Sequence, residues 1–109
     1  MKRLKKGEAG EMGTIIERHV TFHVLPGSVE KFEEFFQQRY RPEMAKTVGF
    51  IKADLLKNTE SPQDLKMVLR FDSPESAAVW RASEAHEILK PHLKSLYNGS
   101  ELKVYDVLA

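Results

Sequence analysis

The sequence predicts one α+β domain with the order strand, helix, strand, strand, helix, strand, the split βαβ or ferredoxin-like arrangement. Three observations carry this reading. Apolar and polar residues alternate with period two over residues 14–25, 65–71 and 101–108. Aromatic and aliphatic residues recur near helical spacing in the two long stretches between strands. Pro-Gly, Ser-Pro and Asn-rich punctuation falls between these patterns. In this order both helices lie on one face of an antiparallel sheet, and the other face is left bare.

The first strand is read over residues 14–25. Ile16, Val20, Phe22 and Val24 share one parity, with Arg18 among them, while Glu17, His19, Thr21 and His23 share the other. Period two with β-branched residues is the mark of a strand. The semi-polar second parity is unlike an ordinary core face. It fits a face that meets a partner's sheet rather than a helix layer. Pro26-Gly27 ends the strand.

Ser28 stands where a hydroxyl can cap a helix by accepting a free amide hydrogen. Val29, Phe32, Phe36 and Tyr40, with Phe35 beside them, then form an aromatic stripe on an amphipathic helix. Pro42 offers no amide hydrogen, so a kink or restart is expected there. Met44 extends the same face, and Gly49 lets the chain turn. Residues 50–57 and 65–71 read as the second and third strands, joined by the hairpin loop Asn58-Thr59-Glu60-Ser61-Pro62-Gln63-Asp64. In the third strand Leu65, Met67, Leu69 and Phe71 share one face, and Lys66, Val68 and Arg70 the other.

Asp72-Ser73-Pro74-Glu75 is a helix start: Ser73 caps, Pro74 suits the first helical position, and Glu75 meets the positive helix end. That helix carries Ala77, Ala78 and Trp80. Ser83 is placed to cap a second segment containing His86, Leu89, Leu93 and Leu96, in which Pro91 predicts a bend. Asn98-Gly99 reads as a helix stop, and residues 101–108 as the last strand.

Composition bounds the function. The 109 residues fit one domain, with a tail expected over 1–12 and the folded unit over 13–109. Lys2, Lys5 and Lys6 read as part of a solvated tail, and Met12-Gly13 as a possible alternative start. With 17 basic and 16 acidic residues, the net charge of +1 carries no global signal for nucleic acid or an anionic membrane. No apolar run approaches the roughly 18 residues of a membrane span. The absence of cysteine excludes disulfides, thiolate zinc sites and cysteine nucleophiles, and is compatible with a cytoplasmic location. No glycine-rich phosphate loop, nucleophile elbow or metalloprotease helix is present.

Several residues nonetheless carry a resemblance. Pro26-Gly27 precedes the aromatic helix, and Gly49-Phe50 opens the second strand. Phe71-Asp72-Ser73-Pro74-Glu75 leads into Trp80-Arg81-Ala82-Ser83-Glu84-Ala85-His86, with its Trp-x-x-Ser-x-x-His pattern. Over residues 14–108 the chain resembles the antibiotic biosynthesis monooxygenase family. That resemblance implies a homodimeric α/β barrel, with two four-stranded sheets facing each other and a cleft between sheet and helices in each subunit. It implies oxidation of a small planar aromatic or quinol-type ligand, with no metal, flavin or other cofactor. The haem-degrading branch fits less well. Trp80 matches that branch's tryptophan, but Lys90 and Val20 stand where it uses a histidine and an asparagine.

Within the resemblance, Trp80 either walls the cleft or simply packs helix onto sheet. His86 is the candidate for proton transfer, since a neutral imidazole can take a phenolic proton and return it; the plainer reading is a capping or surface histidine. Phe36, Tyr40, Ser83 and Arg70 are the candidate substrate contacts. Phe32, Phe35 and Phe36 also read as core. Arg18 and Arg70 either hold an anionic group or pair across the dimer. His19 and His23 lie two apart on one strand face, a spacing that can serve a metal; a place in the barrel interior is the alternative, and no metal site is expected. His92 reads as exposed. The leading function is a cofactor-independent monooxygenase. The second is a ligand-binding or stress-response barrel without catalysis, favoured by a cleft expected to be weakly polar.

Overall fold

A computed structural model describes residues 14–109. The tail expected over 1–12, with its lysines and the Met12-Gly13 start, lies outside the described residues, as does the boundary at residue 13.

Strand β1 spans Ile16–Val24, β2 Phe50–Lys57, β3 Asp64–Phe71 and β4 Tyr97–Asp106. They form one antiparallel sheet in the order β2-β3-β1-β4. Helix α1 covers Val29–Phe35 and passes through a π-helical turn, Phe36–Tyr40, into the short helix α2, Arg41–Met44. Helices α3, Pro74–Arg81, and α4, Glu84–Lys94, follow β3. The α+β ferredoxin-like reading therefore holds.

The helix layer covers the face that the alternation marked as apolar. Ile16, Phe22 and Val24 of β1 and Leu65, Met67, Leu69 and Phe71 of β3 are buried against Phe32, Phe35, Phe36, Tyr40, Met44, Trp80, Leu89 and Leu93 of the helices. Register keeps this face uniform: Ile16 lies opposite Phe71, Val20 opposite Met67, and Phe22 opposite Leu65. A slip of one residue would turn every one of these side chains to the other face.

The π turn explains the aromatic stripe. Residues four apart drift by about 40° around a regular α-helix, so a spacing of four would carry the stripe off its face. Here the Arg41 amide reaches back five residues to the Phe36 carbonyl. The wider turn slows the drift, and Phe32, Phe36, Tyr40 and Met44 all stay buried. Pro42 then sits in the first turn of α2, where its missing amide hydrogen leaves no gap.

Three local expectations change. Ser28 makes no side-chain cap; its carbonyl accepts from the Phe32 amide (2.9 Å) while its own amide closes a turn onto Leu25 (3.0 Å). Helix α4 continues through Pro91 to Lys94. Asn98-Gly99 is not a helix stop, because Ser95 already ends α4 and both residues belong to β4. Register shifts between His23 and Val24, where Gly99 and Tyr97 are the partners and Asn98 is the extra residue. A Cβ on Gly99 would stand 3.2 Å from the His23 ring, so the glycine admits a close approach at a bulge rather than ending a helix.

Gly49 turns the chain as expected. Its φ is +95°, and an added Cβ would collide with the Ser76 hydroxyl and the Asp72 carboxylate.

Candidate functional site

The caps place the site. Ser73 Oγ accepts from the Ser76 amide (3.1 Å) and starts α3, whose inward face carries Ala77 and Trp80. Ser83 Oγ accepts from the His86 amide (3.1 Å) and donates to the Trp80 carbonyl (2.7 Å), so it joins the end of α3 to the start of α4. One serine thereby fixes the backbone of both candidate catalytic residues.

Trp80, Tyr40 and His86 meet in a ring cluster. Trp80 lies edge-on to His86 at 5.1 Å between ring centroids and to Tyr40 at 5.4 Å, and Tyr40 lies 6.1 Å from His86. Trp80 is only 2% exposed. It therefore both packs the core and lines the cleft, which joins the two roles considered for it. Burial pushes the Tyr40 phenol up to about 12, against the opposing pull of a Trp80 hydrogen bond and the Arg18 charge. Tyr40 stays protonated and can donate a hydrogen bond.

His86 is half-buried, and its Nδ1 is buried with no hydrogen-bond partner among the described residues. Burial holds its imidazole below the ordinary value, helped by Lys90, Arg81 and Arg18 and opposed by Glu87. The result is a neutral ring, competent to accept a proton, with an unpartnered nitrogen beside two aromatic walls.

These residues border a cleft of about 180 Å³ between strands β3, β1 and β4 and helices α3 and α4. Val20, Phe22, Met67, Leu69 and Tyr97 form its apolar floor. Its rim is not weakly polar, contrary to expectation: Arg18, Arg81, Lys90 and Lys94 all line it. Sequence reasoning missed the three helix cations. The i, i+4, i+8 spacing of His86, Lys90 and Lys94, which puts them on one helix face, was the available signal.

The remaining predicted contacts lie elsewhere. Phe36 borders a second cleft of about 280 Å³, at the β2 edge, with Val29, Glu33, Arg41, Asp54 and Leu55. Arg70 lies on the bare face of the sheet. There its Nε (2.8 Å) and Nη2 (2.6 Å) donate to Glu17 Oε2, a pairing inside one chain. Ser83 is occupied by the capping bonds just described.

His19 and His23 sit on that bare face too. His19 Nε2 is 2.8 Å from Glu17, and its ring lies 4.7 Å from that of Tyr105. His23 reaches Asp64 at 2.8 Å and Glu101 at 3.6 Å. Among the described residues no group of three or more His, Asp or Glu side chains is arranged to hold a metal. His92 is exposed, with its ring 4.5 Å from that of Phe35.

A ferredoxin-like sheet with capped helices framing an aromatic cleft defines the class of the molecule. The family model for antibiotic biosynthesis monooxygenase matches residues 15–89, and the chain belongs to that family. Among solved structures it is similar to a conserved protein from Methanosarcina mazei Go1, at 19% identity and a TM-score of 0.77, covering 89% of this chain and 96% of that one. It is also similar to SnoaB, a cofactor-independent oxygenase from Streptomyces nogalater, at 19% identity and a TM-score of 0.76, covering 84% and 90%. A third is Rv0793 from Mycobacterium tuberculosis, at 14% identity and a TM-score of 0.74, covering 87% and 96%. Likeness at these identities shows a shared fold. Among curated proteins none matches this chain. Among the described residues no helix is long and apolar enough to cross a membrane.

Proposed function

We propose that this protein is a cofactor-independent monooxygenase acting on a small planar phenol or quinol. The observation that carries the reading is the unpartnered Nδ1 of the neutral His86, set beside Trp80 and the protonated Tyr40 at the cleft. Family membership and the cofactor-independent oxygenase among the similar structures support it.

His86 takes the phenolic proton, which leaves an electron-rich phenolate. The phenolate reduces dioxygen, and a carbon–oxygen bond forms at the ring carbon para to the phenolic oxygen. His86 returns its proton to the peroxide, and the hydrogen on that para carbon then leaves as the O–O bond breaks, which gives the quinone carbonyl and releases water. Phenol plus dioxygen gives quinone plus water, so the substrate supplies all four electrons. Trp80 and Tyr40 confine the ring, and the buried setting keeps bulk water from the phenolate.

An oxygen electrode tests this directly with hydroquinones and polycyclic phenols. His86→Ala is expected to lower turnover by about 100-fold or more. Unchanged turnover of a proven substrate in that variant would remove the proton-transfer role. Tight binding without oxygen uptake would favour the non-catalytic ligand-binding reading.

The same reading includes a homodimer formed through the bare sheet face and a cytoplasmic location. Sedimentation at micromolar concentration should give about twice the 12.5 kDa chain mass, and a species at the chain mass itself would sink the dimer. Cell fractionation checks the location.

A further inference from the structure

The charge around the cleft has one sign. Arg18, Arg81, Lys90 and Lys94 line it, and among the described residues no aspartate or glutamate does. The second cleft, at the β2 edge, is balanced by comparison, with Glu33 and Asp54 beside Arg41 and Lys57.

Arg18 is the most informative of the four. It occupies the apolar row of β1, opposite Leu69 on one side and Val104 on the other. It is half-buried, and among the described residues no carboxylate forms an ion pair with it. Burial pushes its guanidinium below the ordinary value, and the nearby charge of Arg81 adds to this. The chain's other strand arginine is different: Arg70 has Glu17 across the ladder and holds it with two bonds. Removing a cation from water without a counter-charge is costly, and a second cation beside it adds to the cost. A bound anion would supply the missing partner. The aromatic lining of Tyr40, Trp80 and Tyr97 says what the rest of that ligand is.

We propose that the cleft takes an aromatic acid, whose ring lies among Tyr40, Trp80 and His86 while its carboxylate pairs with Arg18 and is drawn in by Arg81, Lys90 and Lys94. This deepens the monooxygenase reading and rests on its cleft. It adds a fixed negative charge, separate from the phenolic oxygen, as the feature that selects the substrate. The carboxylate offers planar acceptors to the arginine fork, and its charge orients the ring before any proton moves.

The test compares 2-naphthoate with its neutral isostere 2-naphthamide on the full chain, by titration calorimetry and by the ¹⁵N-shift of the tryptophan indole N–H. Trp80 is the chain's one tryptophan, so that signal places the ligand at this cleft. Naphthoate is expected to bind about tenfold or more tightly than naphthamide, the worth of one charge-assisted hydrogen bond, and to shift the Trp80 resonance. Arg18→Met should abolish the preference while keeping the melting temperature at or above that of the parent. Lys90→Met, at a half-buried position on α4, should weaken naphthoate severalfold and leave naphthamide unchanged.

Equal affinity for acid and amide overturns the proposal, as does a preference that survives both substitutions. Failure of naphthoate to bind at millimolar concentration also overturns it. In that last case, naphthamide binding with a Trp80 shift leaves the aromatic cleft standing, and silence from both ligands removes the cleft reading as well.

Discussion

The two faces of the sheet are built on opposite principles. On the helix side, apolar side chains of β1 and β3 pack against those of the helices in a core in which Phe32, Met44 and Phe71 have no exposed surface at all. On the bare side the same strands carry Glu17, His19, His23, Asp64 and Arg70, and their stabilisation is local and ionic. A hydrogen bond with His19, and then one from Arg70, holds the Glu17 carboxyl below its ordinary value. The contrast teaches where function can reside. The bare face pairs Glu17 with Arg70 and His23 with Asp64 across strands, whereas among the described residues the helix side leaves the Nδ1 of His86 without a hydrogen-bond partner and Arg18 without a carboxylate.

Truncation of Trp80 is the strongest way to break this comparison. Trp80→Ala removes a buried ring that touches Tyr40 and His86, and should cost about 3–5 kcal/mol in urea or guanidinium unfolding. A small loss would mean the cluster is loosely packed and the helix side is not the stabilising face. Gly49→Ala comes next. It forces a side chain into a positive φ and against Ser76 and Asp72, and should cost about 1–3 kcal/mol by the same measurement. On the bare face, Arg70→Met should cost only about 1 kcal/mol, because the Glu17 pair is partly hydrated. A larger and concentration-dependent loss would show the face to be covered by a second copy of the chain.

The histidines sharpen the comparison with the smallest effects, and their signs are opposite. His86 has a folded-state value below its ordinary 6.5, so the unfolded chain binds more protons near that pH. Its contribution is complete above about 6.5 and is lost as pH falls below it. His23 has a raised value, through its hydrogen bond to Asp64 foremost, so its contribution is present below 6.5 and is lost as pH rises through the higher folded value. Thermal melts across pH 5 to 8 should therefore show His86→Gln flattening the acid side and His23→Gln flattening the neutral side. The same slope change from both variants would refute the assignment of opposite environments.

Much of the candidate site was legible before the structure. Ser73 and Ser83 announce two helix starts by local chemistry, and that spacing delivers Trp80 and His86 to one place. Tyr40 was legible as part of the aromatic stripe. Phe36 and Arg70 were misplaced for a shared reason: sequence gives the face of an element but not which end of the layer it borders. Phe36 faces the β2 edge, and Arg70 belongs to the bare parity of β3. Arg81, Lys90 and Lys94 escaped notice because surface cations on a helix look alike until the opposite wall is known.

Alternation, aromatic spacing and turn chemistry by themselves determined the order of elements and the buried faces of β1 and β3. These are local properties, fixed by the pleat, the helical period and the few residues that tolerate special backbone angles. Only the tertiary structure decided that Asn98 and Gly99 lie in a strand, since the bulge opposite His23 is a pairing between distant segments. Only the tertiary structure set Arg18 of β1 against Arg81, Lys90 and Lys94 of the helices. Charges from separate elements acquire a common effect only when packing brings them to one cavity and takes water away.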